Sequence, residues 1–167
     1  MGRIGKALKR IEDPDLLKGK GRFVADLNFP NQVYMRVLRS PIAFGKINNI
    51  DIDHAKSLDG VLEIWTGKDL EDIPPISFRM TIVPGLEPYR QRILGLDWVR
   101  YVGEPIAVVF AETLDEAKEG AEKVKVDYKV LKAVVDPADA MKSEAIHDGV
   151  DKNLCYDWLL GDRKAVD

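Results

Sequence analysis

Hydrophobic and polar positions change rhythm several times along the chain, and each change marks an element. Over residues 1–31 neither a helical nor a strand period persists. Asp13-Pro14, the run Lys18-Gly19-Lys20-Gly21-Arg22 and Asn28-Phe29-Pro30 describe an extended, turn-rich arm. Over 33–38, Val33, Met35 and Val37 alternate with Tyr34, Arg36 and Leu38, which suits a strand with both faces partly covered. A strand–helix–strand unit comes next. Residues 47–52 form a strand with Ile50 and Ile52 on one face, Asp53 caps a short helix, and Gly60 takes the left-handed position that ends it. Residues 61–65 supply the returning strand.

Between 71 and 96 the pattern breaks down, because Pro74, Pro75, Pro84 and Pro88 forbid long regular elements. Connections of this length are usually functional, interfacial or mobile. A second strand–helix–strand unit follows, with clearer signals. Residues 105–111 are nearly all apolar, as a doubly covered central strand requires. Thr113 and Glu116 form a capping box, and Leu114, Ala117, Ala121 and Val124 then share one helical face. Val124, Val126, Tyr128 and Val130 recur at a spacing of two, so the helix gives way to a strand over 124–130. Residues 136–141 read as a short helix. The pattern predicts an α+β fold with two strand–helix–strand units packed around a mixed sheet. Its divisions are an extended arm over 1–31, a domain over 32–141 and a linker over 142–167.

Composition narrows the classes of function. A chain of 167 residues, 46% hydrophobic and 32% charged, suits one ordinary globular domain. Its 25 basic residues against 28 acidic ones leave a net charge of -3, which gives no electrostatic case for nucleic acid or an anionic membrane. The longest apolar run, 105–111, is too short to cross a bilayer. Residues 1–10 are basic but lead into no apolar core of a signal peptide. A cytoplasmic address follows by default. Cys155, the single cysteine, excludes a disulfide within the chain.

Candidate chemistry is sparse. The Lys18–Arg22 run has glycines and cations but lacks the Walker spacing and follows no strand, so a solvated basic turn is the simpler account. His54 and His147 each sit beside an aspartate, yet neither has a second coordinating partner nearby, and metal sites need three or four ligands. Cys155 lies between Leu154 and Tyr156, as an ordinary half-buried thiol would. Glu112, Asp115, Glu116, Glu119 and Glu122 belong to the solvated side of the capped helix. Glu104, between Gly103 and Pro105, is expected to hold the turn into the central strand by a hydrogen bond. No residue is assigned a catalytic, cofactor-binding or metal-binding role.

The order of short motifs carries more than any single residue. Ile4-Gly5-Lys6, Arg10-Ile11-Glu12-Asp13-Pro14 and Leu16-Leu17-Lys18-Gly19-Lys20-Gly21-Arg22-Phe23-Val24-Ala25-Asp26 open the chain. Arg39-Ser40-Pro41, Leu58-Asp59-Gly60-Val61 and Thr66-Gly67-Lys68-Asp69-Leu70 follow. Then come Val99-Arg100-Tyr101-Val102-Gly103-Glu104-Pro105-Ile106-Ala107, Val126-Asp127-Tyr128 and Ala133-Val134-Val135-Asp136-Pro137. This succession resembles the N-terminal part, with its α/β hammerhead domain, of the molybdopterin-binding large subunit of the xanthine dehydrogenase, aldehyde oxidase and carbon monoxide dehydrogenase family. The family commonly has a histidine-containing stretch after Arg39-Ser40-Pro41, where this chain has Ile42-Ala43-Phe44-Gly45.

The resemblance implies an enzyme that hydroxylates a substrate carbon with water at a molybdenum–pterin centre. It also implies iron–sulfur clusters and FAD on partner subunits or domains. The family's molybdopterin loops and catalytic glutamate lie C-terminal to the hammerhead, and no motif here matches them. The expected role is therefore a non-catalytic structural or assembly domain, with no cofactor of its own, packed against the rest of the large subunit. A stand-alone binding or scaffolding module and a small enzyme using 71–96 as a lid are the alternatives, and the lid enzyme needs titratable residues clustered beneath that loop. On the structural reading, Phe23, Phe29, Ile76, Phe78, Ile82, Trp158, Leu159 and Leu160 are expected to lack cover in the chain by itself.

Overall fold

The computed structural model describes residues 4–79, 83–157 and 160–162. They fall into two compact units, Met1–Gln32 and Val33–Asp167. The smaller holds one helical turn, α1 (Asp13–Leu16), and a 3-10 turn at Val24–Asp26. Short-range carboxylate bonds shape it: Asp13 accepts from the Arg10 N–H at 3.1 Å, and Asp26 from the Phe23 N–H at 2.8 Å. Neither turn buries a residue.

In the larger unit the strands are β1 (Tyr34–Arg39), β2 (Gly45–Asp51), β3 (Val61–Thr66), β4 (Trp98–Val99), β5 (Pro105–Ala111) and β6 (Lys125–Val130). The helices are α2 (Asp53–Lys56), α3 (Leu114–Lys123) and α4 (Pro137–Ala140). Both strand–helix–strand units are present, β2-α2-β3 and β5-α3-β6. The expected mixed sheet is not. The strands form two antiparallel three-stranded sheets, β1-β5-β3 and β4-β2-β6, and α2 and α3 each carry the chain from one sheet to the other. Both edges of β5 are already taken, by β1 and β3. The connection from β2 to β3 is shorter than the roughly 12 residues that a parallel return needs.

Local chemistry explains the elements. Thr113 caps α3 by accepting the Glu116 N–H at 3.2 Å, while Glu116 accepts the Thr113 N–H at 2.9 Å, the reciprocal box read from the sequence. At α2 the expectation needs correcting. Asp53 is the first helical residue, and it is the Asp51 carboxylate that accepts its N–H at 3.1 Å. Gly60 does adopt a positive φ of 80° before β3.

Alternation along the strands gives the β1-β5-β3 sheet two distinct faces. Leu38, Ile64 and Val109 face α3 and pack with Ala55, Ala121 and Val124 into one core, joined by Ile50, Ile52 and Val126 from the second sheet. The opposite face carries Met35, Val37, Trp65, Val108 and Phe110. Helix α3 approaches β5 closely because Gly120 has no side chain: a Cβ there would lie 2.9 Å from Val109 Cγ1 and 3.1 Å from Val61 Cγ2.

Residues 71–96 contain a 3-10 turn, Glu87–Tyr89, and an isolated bridge between Ile76 and Gln91, with Leu86 and Leu94 buried as anchors. Beyond α4 the chain folds back on itself. The Asn153 amide donates to the Ala140 and Glu144 carbonyls at 3.1 and 2.8 Å, and accepts the Ile146 N–H at 2.9 Å. Phe23, Phe29, Ile76, Phe78 and Leu160 are exposed, while Ile82, Trp158 and Leu159 lie outside the described residues.

Val109 is fully buried at the centre of this core. Val109→Asp would strand a carboxylate there without a partner. It is expected to cost more than about 4 kcal/mol, a large part of the ~5–15 kcal/mol of a typical domain. Circular dichroism should show loss of the cooperative thermal transition, and an unchanged transition would remove β5 from the core.

Candidate functional site

A group of polar side chains lies where residues 88–104 meet residues 146–148, around a cleft of about 520 Å³. Buried Leu94 and Val99 fix the first wall, and the hydrogen bonds of Asn153 shape the second. Arg100 joins the two. Its Nε donates to the Ile146 carbonyl at 3.0 Å, and its Nη2 lies 3.6 Å from an Asp148 carboxylate oxygen. The guanidinium sits 5.8 Å from the Trp98 ring, which also carries Lys46 Nζ at 4.6 Å and stacks on Phe44 with centroids 5.6 Å apart.

His147 makes a second tie. Its Nδ1 lies 3.1 Å from the Pro88 carbonyl, so the neutral ring donates there. Its ring centroid is 5.0 Å from that of Tyr89, whose hydroxyl donates to the Leu154 carbonyl at 2.8 Å. Gln91 Nε2 donates to the Tyr101 hydroxyl on the first wall. Glu104 is buried, and one of its carboxylate oxygens accepts the Arg100 N–H, the hydrogen bond to the turn that the sequence suggested. Ser40 N–H donates to the Glu104 carbonyl at 2.8 Å and Arg39 Nη1 to the Gly103 carbonyl at 2.9 Å, so β1 grips the same turn.

Burial governs the electrostatics. It raises the Glu104 carboxyl above the ordinary carboxylate value, against the lowering effect of the Arg100 N–H and charge. Burial lowers the His147 imidazole, and the Arg100 charge lowers it further, outweighing the Pro88 carbonyl and Asp148. The cleft thus brings together a carboxyl, an imidazole and a guanidinium. Each is committed to the backbone of the cleft's own walls: Glu104 to residue 100, His147 to residue 88 and Arg100 to residue 146. Such an arrangement holds two chain segments together. Arg90 and Arg92 at the rim are exposed.

The other residues weighed from the sequence are scattered. The Lys18–Arg22 run is a turn after α1 with Gly19 at φ 67°. Lys20, Gly21 and Arg22 share a hollow with Glu12 and Asp15, carboxylates that repel a phosphate, and Leu16 Cδ2 lies 2.6 Å from where a Gly21 Cβ would be. His54 is exposed on α2, and its carbonyl accepts the Ser57 hydroxyl at 2.8 Å. Cys155 is exposed. Asp115 pairs with Lys118 at 3.0 Å on the outer side of α3. Among the described residues, no three His, Cys, Asp or Glu side chains gather as a metal site would require. Arg100, Tyr89, Trp98 and Asn153 escaped sequence reasoning. The partners of Arg100, Tyr89 and Trp98 include residues far along the chain, 46 residues away for Arg100, and no local motif points to them.

Residues 18–132 match the family model for the aldehyde oxidase and xanthine dehydrogenase a/b hammerhead domain. The chain belongs to this family. It is 33% identical to the nicotine 6-hydroxylase large subunit of Paenarthrobacter nicotinovorans, covering 87% of the chain and 18% of the relative. With the carbon monoxide dehydrogenase large chain of Hydrogenophaga pseudoflava it shares 33% identity over 93% of the chain and 20% of the relative. It is 30% identical to the xanthine dehydrogenase molybdenum-binding subunit of Escherichia coli O157:H7, over 84% of the chain and 19% of that subunit. Among solved structures, quinoline 2-oxidoreductase from Pseudomonas putida 86 superposes with a TM-score of 0.72 at 34% identity, over 85% of this chain and 18% of the other. The hammerhead chain therefore spans about a fifth of the length of these relatives. Its cleft straddles the end of the matched hammerhead region, since 146–148 lie beyond residue 132.

The lowered pKa of His147 gives the hammerhead chain a signed pH dependence. As pH falls below about 6.5, the unfolded chain takes up a proton that the folded one resists, so the fold loses stability in that window. The raised Glu104 works oppositely: its contribution is full below about 4.5 and is lost as pH rises through the folded value. His147→Gln should cost about 1 kcal/mol at pH 7.5 through lost packing and hydrogen bonding. That deficit should shrink by pH 5.5, because only the wild type bears the histidine penalty. Thermal melts of both proteins at the two pH values test this, and a constant gap would contradict the buried neutral imidazole.

Proposed function

We propose that this chain is a non-catalytic structural domain of the large subunit of a molybdenum-dependent oxidoreductase, acting on an aldehyde, a purine, carbon monoxide or a related substrate. The observation that carries the proposal is the fate of the polar groups lining the cleft, of which Glu104 is buried and Arg100 and His147 half-buried. Arg100, His147 and Glu104 each bind main chain, and Arg100 and His147 tie the hammerhead region to the stretch that follows it. The relatives support the rest. One is named a molybdenum-binding subunit, and each is about five times the length of the matched stretch.

In this reading the described residues hold no part of a molybdopterin, in keeping with the carboxylates of Glu12 and Asp15 that share the hollow of the glycine-containing turn. In this reading the pterin belongs to the remainder of the large subunit, and iron–sulfur clusters and FAD to partner subunits or domains. The full enzyme would oxidise its substrate with water at the molybdenum centre. Nucleic acid and membrane have no place in the scheme. No helix among the described residues is long and apolar enough to cross a bilayer, and the enzyme's setting would be cytoplasmic. The open cleft favours one alternative, a stand-alone binding module, in which Arg90 and Arg92 would meet a ligand.

Metal analysis and an absorbance scan distinguish the two. The purified chain should be colourless and free of stoichiometric molybdenum, iron and flavin. Produced together with the remainder of the large subunit, it should form a complex holding about one molybdenum. One equivalent of molybdenum on the chain alone would overturn the proposal, and so would failure to associate with the remainder.

A further inference from the structure

One face of the β1-β5-β3 sheet is left open. Residues 107, 109 and 111 of β5 are fully buried on the α3 side. On the opposite side Met35 is 55% exposed and Trp65 44%, while Val37, Val108 and Phe110 are only half-buried. The strand register places these five side chains together: Met35 is opposite Phe110, Val37 opposite Val108, and Trp65 opposite Val108 on the other edge. Trp65 and Phe110 meet edge to face with centroids 4.8 Å apart. Where a sheet has one wet face, its strands alternate apolar with polar. β5 does not alternate. It is apolar on both faces, the composition of a strand covered twice.

The cover begins and then stops. Ile106, on the open face, is fully buried, and its Cδ1 lies 3.1 Å from where a Gly95 Cβ would be. Beyond it, Met35 on β1 and Trp65 on β3 stay exposed among the described residues, and Glu63, paired with Lys56 at 3.4 Å, marks the charged rim of the face.

We infer that this face is the docking surface for the remainder of the large subunit, which lays an apolar layer over Met35, Trp65 and Phe110. The inference rests on the function proposed above and names the surface through which it operates. About four-fifths of the length of each relative lies outside the matched stretch, so a domain-sized occupant exists in every one. The size of the face argues against a second copy of this chain. Five side chains fall short of the roughly 20–30 residues per side of a free-standing interface, whereas contacts between parts of one chain can be smaller.

Oxidative footprinting reads the surface without any mutation, because Met35 and Trp65 are both oxidisable. Both should react in the isolated chain and be protected when it is bound to the molybdenum-binding remainder of the subunit, supplied as a separate polypeptide. Met35→Lys and Trp65→Lys should each lower recovery of that complex by about tenfold or more. Val130→Lys, at a position 64% exposed on β6, should leave recovery unchanged. If the wild type binds the remainder but Met35 and Trp65 stay reactive, the inference falls while the proposed function stands. If their protection depends on chain concentration and appears without the remainder, the face joins two copies and the inference again falls. Failure of the wild type to bind the remainder would remove the proposed function, and this inference with it.

Discussion

The closeness of α3 to β5 sets the dimensions of the larger unit. Ala117, Gly120 and Ala121 are the buried residues of the helix, and Gly120 stands over Val109 at a distance no side chain would allow. With so little between helix and strand, the core is made by the residues around the contact: Ile64 and Val61 from one neighbouring strand, Leu38 from the other, and Val124 where the helix ends. Val124 also turns the chain into the second sheet, and Val126 and Ile50 close the core from there. A single tight contact thus recruits strands from both sheets. It also makes the interior dense, where small changes of volume are felt.

A different interaction governs the region after β6. The half-buried guanidinium of Arg100 is offset by a carbonyl, a carboxylate and an aromatic face. Burial lowers the His147 imidazole and the Arg100 charge beside it lowers it further, and the neutral form of the ring suits a donor–acceptor contact with the Pro88 carbonyl. Glu104 completes the set by taking the Arg100 N–H. The lid enzyme required titratable groups clustered near residues 71–96, and such a cluster is present. Each of its members holds main chain.

Much of this was legible in the chain because it depends on neighbours. The capping box at Thr113 and Glu116, the positive φ at Gly60 and the bounds of β5 follow from interactions within a few residues, and periodicity reports them. The misreading of Asp53 as the α2 cap has the same origin: Ile52 holds the cap position, and the carboxylate that meets the start of the helix belongs to Asp51, two residues before Asp53. The order of motifs, read as a whole, pointed to the hammerhead family that the comparisons show. The cleft was not legible. Arg100 lies 46 residues from Ile146, and Tyr89 lies 65 from Leu154, and nothing in either local sequence signals the other.

By itself, then, the sequence determined the longer strands and helices but not α1 or β4, where α3 begins, that β5 is apolar on both faces, and which family the chain resembles. Tertiary structure decided how those elements are shared out. Periodicity states which face of a strand is apolar but not which neighbour pairs with its edge, so two antiparallel sheets and one mixed sheet read alike. Pairing was settled by the short crossover at α2 and by β1 and β3 occupying both edges of β5. Packing, too, decided that Arg100, His147 and Glu104 meet, because burial and long-range contact, which no local pattern encodes, determine what a charged side chain is used for.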